Sequence, residues 1–432
     1  MNRKIMKTPG WLTALMVMML LVSPAAALAF IDGITGPTFN LTAGTTHIVT
    51  PDANSILVWG YANDGGAIGP QYPGPTLIVN QGQTVTVNLT NNLDEPVSII
   101  FPGQKATATG GLPGLVTREA SPGGTVSYTF TATNPGTYLY SSGSHQDLQV
   151  EMGLFGALIV RPAGFNLLAP QAYGHVDTAY DREFLFLLSE IDPAIHELVE
   201  FGRKDQIDTT AIHLVNWFIN GRAAPDTMSA ANAPWLPSQP YNCMPVMKPG
   251  EQVLLRLLGG NKDLHPFHTH GNNFRLIAQD GVLLSNPAGP GGPDLAISNF
   301  TQRVVPGETY DALFTWTGAG LGWDFYGHFD PATNTCADPE PGENLDDHCQ
   351  PFPVKLPDVK ELTNGPFWSG SPFLGVQGAL PPGQGTGNLD GGFFYMWHSH
   401  NERELTNNDI FPGGLFTMMM IVHPNALLMD GP

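Results

Sequence analysis

The sequence predicts an all-β protein built as two β-sandwich domains, and three observations carry that prediction. Glycine (50) and proline (39) are abundant while only 13% of the 432 residues are charged, a composition that suits turn-rich sheets better than helices. From Phe30 onward, short β-branched runs alternate with Gly/Pro/Asn turns, the pattern of a sandwich. The second half also repeats the punctuation of the first. Pro249-Gly250-Glu251 precedes a strand at 252–258 as Gln81-Gly82-Gln83 precedes one from Thr84, and Pro306-Gly307-Glu308 leads into 310–316 as Pro122-Gly123-Gly124 leads into 126–130. This weak internal repeat implies two related units.

Taken in order, residues 1–29 read as a secretory signal peptide. Arg3, Lys4 and Lys7 form a basic start, an apolar run follows from Trp11, and Ala27-Leu28-Ala29 is a small-residue cleavage pattern. The expected destination is therefore export, to the periplasm or the outside of the cell. The alternative is an uncleaved anchor, for which the apolar run is short. The formal net charge is -20, and removing a basic leader makes the remainder more acidic, which argues against a nucleic-acid partner. A hydrophobic content of 42% argues against disorder.

Segments 76–80, 84–90, 125–130, 136–140 and 156–160 are expected as strands, with Arg161-Pro162-Ala163-Gly164 closing the first domain. A linker of about 15 residues follows, and the apolar run 183–189 opens the second domain as a buried strand. The segment 192–201 is the best short helix. An insertion at 318–392, rich in Gly, Pro and Asp, interrupts the second domain; long loops of this kind are functional covers or mobile segments. Within it, Cys336 and Cys349 should pair in an oxidising compartment, contributing on the order of 3 kcal/mol by loop closure. Cys243 is left over, as a buried thiol or as an intermolecular or metal-binding cysteine.

The stretch His265-Pro266-Phe267-His268-Thr269-His270-Gly271 and, about 130 residues later, Trp397-His398-Ser399-His400 hold five of the 13 histidines. Both read as β-strand, where alternate side chains share a face. His268 and His270 therefore point one way together, and His398 and His400 do the same. Two such strands side by side make a four-imidazole cluster. Imidazole is the commonest nitrogen ligand for copper and zinc, and packing several neutral imidazoles together has little purpose without a cation. The competing reading is an inactivated site in which every buried ring nitrogen has a polar protein partner. Glu402 and Glu404 continue the even-numbered face of His398 and His400, as carboxylate ligands, as acceptors for an imidazole N–H, or in a salt bridge with Arg403. Met418-Met419-Met420 is a core strand or, because thioether is a soft ligand, a copper(I) site.

Together with Gly74-Pro75-Thr76, Gln81-Gly82-Gln83, Pro135-Gly136-Thr137-Tyr138 and the run from Gly153 to Val160, these histidine segments resemble the multicopper oxidase family, which includes laccase-like enzymes. The resemblance implies two cupredoxin-like Greek-key sandwiches, at 30–164 and 180–432, with copper as cofactor; zinc is the alternative that imidazole ligation leaves open. It implies His265 as a ligand of a mononuclear blue copper, and His268, His270, His398 and His400 as ligands of a trinuclear cluster. Two-domain relatives commonly form trimers that place a neighbour's ligands into the cluster, so a homotrimer is the implied assembly.

The departures from the family pattern matter as much. Ser399 stands where the family has its blue-copper Cys, and Glu404 where it has the second blue-site His, with Leu415 near the axial position. In the first domain the expected His-Trp-His-Gly reads Ile100-Phe101-Pro102-Gly103, and the expected His-Ser-His reads Ser141-Ser142-Gly143. His145, just beyond, is either a substitute ligand or a loop residue beside Asp147. With half of the trinuclear ligand set missing, a mononuclear or at most dinuclear centre is expected.

Three functions remain open on sequence. One is an oxidoreductase that uses an open histidine-bound copper on a small-molecule or metal-ion substrate. The second is a protein that stores or delivers copper or zinc. The third is a structural protein that keeps the sandwich for its surfaces.

Overall fold

In the computed structural model, the residues described are 31–289, 291–317, 329–330, 335–336, 370–371 and 392–422. The expected leader at 1–29 and the Cys336–Cys349 pair lie outside the residues whose side chains are described, as does most of the insertion.

The chain is all-β. The four-stranded sheet of the first half runs in the order Ile34–Thr35, Leu77–Asn80, Phe155–Arg161, Gly136–Ser141. Its partner runs Ser55–Asn63, Thr38–Val49, Thr84–Asn91, Thr125–Thr131, Thr107–Gly110. In the strand Thr84–Asn91, exposed or half-buried Thr84, Thr86, Asn88 and Thr90 alternate with fully buried Val85, Val87 and Leu89. Those residues meet Leu77 and Val79 of the opposite sheet in one core. Alternation of this kind sends every second side chain inward, so the polar and apolar sets separate without further specification.

The second half builds two larger sheets. One is ordered Asn216–Ile219, Arg182–Ile191, Gln252–Gly259, Thr309–Thr315, Phe274–Gln279, Val282–Leu283. The other runs Val246–Met247, Phe416–Val422, Gly392–Ser399, His265–Thr269, Thr301–Val304. Phe186, Leu255, Phe267, Tyr395, Trp397 and Met419 fill the space between them. The one expected helix forms as Pro193–Glu200, started by the Asp192 side chain, which accepts from the Ala194 N–H, and by proline in its first turn.

The halves meet through apolar and ionic contacts. Tyr72, Leu139, Phe155 and Ile159 pack with Leu185, Leu187, Phe218 and Leu258. Buried Glu183 accepts from Arg161 Nη1 at 2.7 Å and from Arg256 Nε at 2.9 Å. Thr137 donates to Asp311 at 2.6 Å and accepts from Arg256 at 2.8 Å. Burial alone would raise the Glu183 carboxyl, but the two guanidinium groups hold it below the usual range.

Candidate metal centre

Strand pairing brings the histidines together. The strand His265–Thr269 runs antiparallel to Gly392–Ser399, with His268 directly opposite His398. On both strands the odd-numbered residues Phe267, Tyr395 and Trp397 are fully buried in the core, so the even-numbered side chains face the other way. On that outer face one ring nitrogen from each of His268, His270 and His398 lies within 4.8 Å of the others. His400 is exposed and flanks the group, its ring centroid 4.7 Å from that of His268 and 5.8 Å from that of His398. Gly271, at φ 92°, turns the chain after His270; a Cβ there would meet the Tyr395 ring at 2.8 Å, so the reversal requires glycine.

The hydrogen bonds fix which nitrogens converge. His398 Nδ1 donates to the Ser399 carbonyl at 2.6 Å, which leaves Nε2 of the neutral ring as an acceptor. That Nε2 faces His270 Nε2 at 3.0 Å. His268 Nδ1 is tied to Thr301 Oγ1 at 2.7 Å. Burial, reinforced by the neighbouring imidazoles, pushes His268 down to about 4 and His270 down to about 3. His398 is lowered by burial and by His400. The rings are therefore neutral at neutral pH, the state in which imidazole binds a metal. Two imidazole nitrogens 3.0 Å apart share one proton, whereas a cation accepts both lone pairs; metal–nitrogen bonds of about 2.0–2.1 Å put adjacent ligand nitrogens roughly 3 Å apart. The donor set fits a metal ion.

His265 is not brought into this group. It precedes His268 by three residues, an odd offset that places it on the inner face of the strand. There its Nε2 meets Glu190 at 2.9 Å and its Nδ1 meets Glu404 at 3.0 Å, with all three side chains buried. Burial would lower the imidazole, but hydrogen bonds to the two carboxylates raise it to about 10, so His265 is a cation with both nitrogens engaged. Ser399, at the position of the expected blue-copper Cys, is buried and accepts from the Asn401 N–H at 3.1 Å. Asn401 in turn donates to Glu404. An ionic triad occupies the ground that the family resemblance assigned to a mononuclear metal.

The expectation that Glu402 and Glu404 continue the face of His398 and His400 is corrected. The strand ends at Ser399, and Glu402–Leu405 forms a 3-10 turn. That turn exposes Glu402 and buries Glu404 against His265. His145 sits exposed beside Glu95 and Asp147. Cys243 is a buried free thiol whose Sγ lies 2.9 Å from the Ile219 carbonyl, and burial pushes it up to about 12. Of the methionine run, only Met419 is core; Met418 and Met420 are half-buried on the opposite face. Sequence reasoning missed Glu190 and Thr301. An acid closing the apolar strand Arg182–Ile191 was a signal for the first; Thr301 had none, since only pairing places it opposite His268.

Residues 53–164 match the family model described as multicopper oxidase. A copper resistance protein A homolog of Pseudomonas syringae pv. tomato is 26% identical over 312 residues, covering 65% of this chain and 48% of that protein. An L-ascorbate oxidase of Cucurbita maxima is 40% identical over 144 residues, 32% of this chain and 22% of that one. The chain spans about half the length, or less, of these curated relatives. Among solved structures, a blue copper oxidase from Nitrosomonas europaea matches 88% of this chain and 85% of its own with a TM-score of 0.55 at 20% identity, a likeness of fold.

Proposed function

Since this chain belongs to the multicopper oxidase family and is built of cupredoxin-like sandwiches, we propose that it is an exported copper-binding protein with a histidine-only centre. His268, His270 and His398 hold the ion, and His400 stands at its open side. The observation that carries this reading is the convergence of three neutral, buried imidazoles on one face of a sheet. The Ser399 carbonyl fixes the tautomer of His398, and Thr301 fixes the ring of His268. When bound, copper supplies a redox-active Lewis acid.

The exposure of His400 favours a second, enzymatic reading, in which a small substrate reaches the centre directly from solvent. With Ser399 in place of a Cys thiolate, oxidation in this reading takes place at the ion held by the histidines. Export rests on the basic, apolar and small-residue pattern of residues 1–29.

The test is a copper(II) titration of the full chain beside His268→Ala/His398→Ala, with oxygen uptake followed on a phenolic substrate. Stoichiometric binding lost in the double variant supports the centre, and substrate-dependent oxygen uptake adds the oxidase. Equal binding by both proteins overturns it.

A further inference from the structure

The outer face that carries the histidines also carries methionines. In the antiparallel pair Gly392–Ser399 and Phe416–Val422, Met396 lies directly opposite Met418, Phe394 opposite Met420, and Phe416 opposite His398. The inward residues of these strands, Tyr395, Trp397, Met419 and Ile421, are fully buried. Met396, Met418 and Met420 are half-buried on the opposite side. Met396 is two residues before His398, so the methionines begin about 7 Å along the strand from the histidine cluster, on the same face.

We propose that Met396, Met418 and Met420 form a second metal site, selective for a soft monovalent cation such as copper(I). Directly opposed residues in an antiparallel pair have Cβ atoms about 5 Å apart, and diagonal neighbours about 7–8 Å. Three rotatable bonds let each thioether sulfur cross such gaps. Thioether is a soft, uncharged donor, so three of them favour copper(I) or silver(I) and give little hold on zinc(II) or copper(II), which neutral imidazoles take instead. The two sites divide the metal by oxidation state. A core role accounts for Met419, which faces inward with Tyr395 and Trp397; Met396, Met418 and Met420 lie half-buried on the other face of the pair.

The test uses the full chain labelled with [methyl-13C]methionine and silver(I) as the probe. Silver(I) is expected to shift the methyl signals of Met396, Met418 and Met420 together, with saturation at one equivalent for that set. The variant Met396→Leu/Met418→Leu/Met420→Leu, which conserves volume, should bind one silver(I) fewer and keep its copper(II) uptake. Met418→Leu alone, a milder change at the centre of the set, should weaken the same shift at Met396 and Met420. His268→Ala/His398→Ala should lose copper(II) and keep the methyl shifts, so the failure of either site is read separately. Methyl signals of these three residues that stay unmoved in excess silver(I), or a triple variant that binds as much silver(I) as the parent, would overturn the proposal.

Discussion

Glu404 accepts a hydrogen bond from His265 Nδ1 at 3.0 Å, joining residues 139 positions apart across the inner face of the histidine strand. Glu190 engages the other ring nitrogen. A buried imidazolium thus stands where the sequence resemblance led to the expectation of a copper ligand, and it anchors the turn that follows His398 and His400.

Replacing His265 with Ala leaves two buried carboxylates facing each other, so the variant should lose on the order of 3–5 kcal/mol of stability. Denaturant unfolding checks this. Metal stoichiometry at the outer face should be unchanged, which separates a structural cation from a ligand.

The same triad sets a pH dependence. His265 is raised from 6.5 to about 10. Its contribution is therefore complete below about pH 6.5 and is lost as pH rises through about 10. The stability difference between wild type and His265→Gln, measured by thermal unfolding from neutral to alkaline pH, should shrink toward the alkaline end. A constant difference contradicts the assignment.

Glu183→Gln leaves the guanidinium groups of Arg161 and Arg256 buried with their shared carboxylate gone. A loss on the order of 3–5 kcal/mol is expected in equilibrium unfolding. In the wild type the Glu183 carboxyl lies below its usual range, so its contribution is present above the unfolded value of about 4.3 and fades as pH falls through the folded one.

Thr301→Val removes the partner that orients His268. Loss of such a hydrogen bond to a metal-bound imidazole costs about 10–100-fold in affinity. Competition against a chelator should register that drop while the unfolding midpoint stays close to wild type.

The sandwich was legible because alternation is a local signal: in Thr84–Asn91 every second residue declares its face. That His268 and His270 share a face, as do His398 and His400, was legible for the same reason, from the even spacing within each segment; the register that sets His268 opposite His398 was not. Glu190 and Thr301 were not, since both reach their histidines only through strand pairing fixed elsewhere in the chain. Glu404 was misplaced because strand periodicity was carried past Ser399, where the chain turns. The methionine run showed the same limit. Alternation divides Met419 from Met418 and Met420, but only pairing with the strand Gly392–Ser399 shows that Met396 joins the outward two.

The most direct measurement is metal content per chain in protein purified from its native compartment, with an electron paramagnetic resonance spectrum of the same sample. A histidine-only centre predicts about one copper(II) per chain with an ordinary mononuclear signal and no intense blue absorption, because the thiolate that gives blue sites their character is absent. No bound metal, and none taken up when copper or zinc is added, would contradict it and leave His268, His270 and His398 as structural residues.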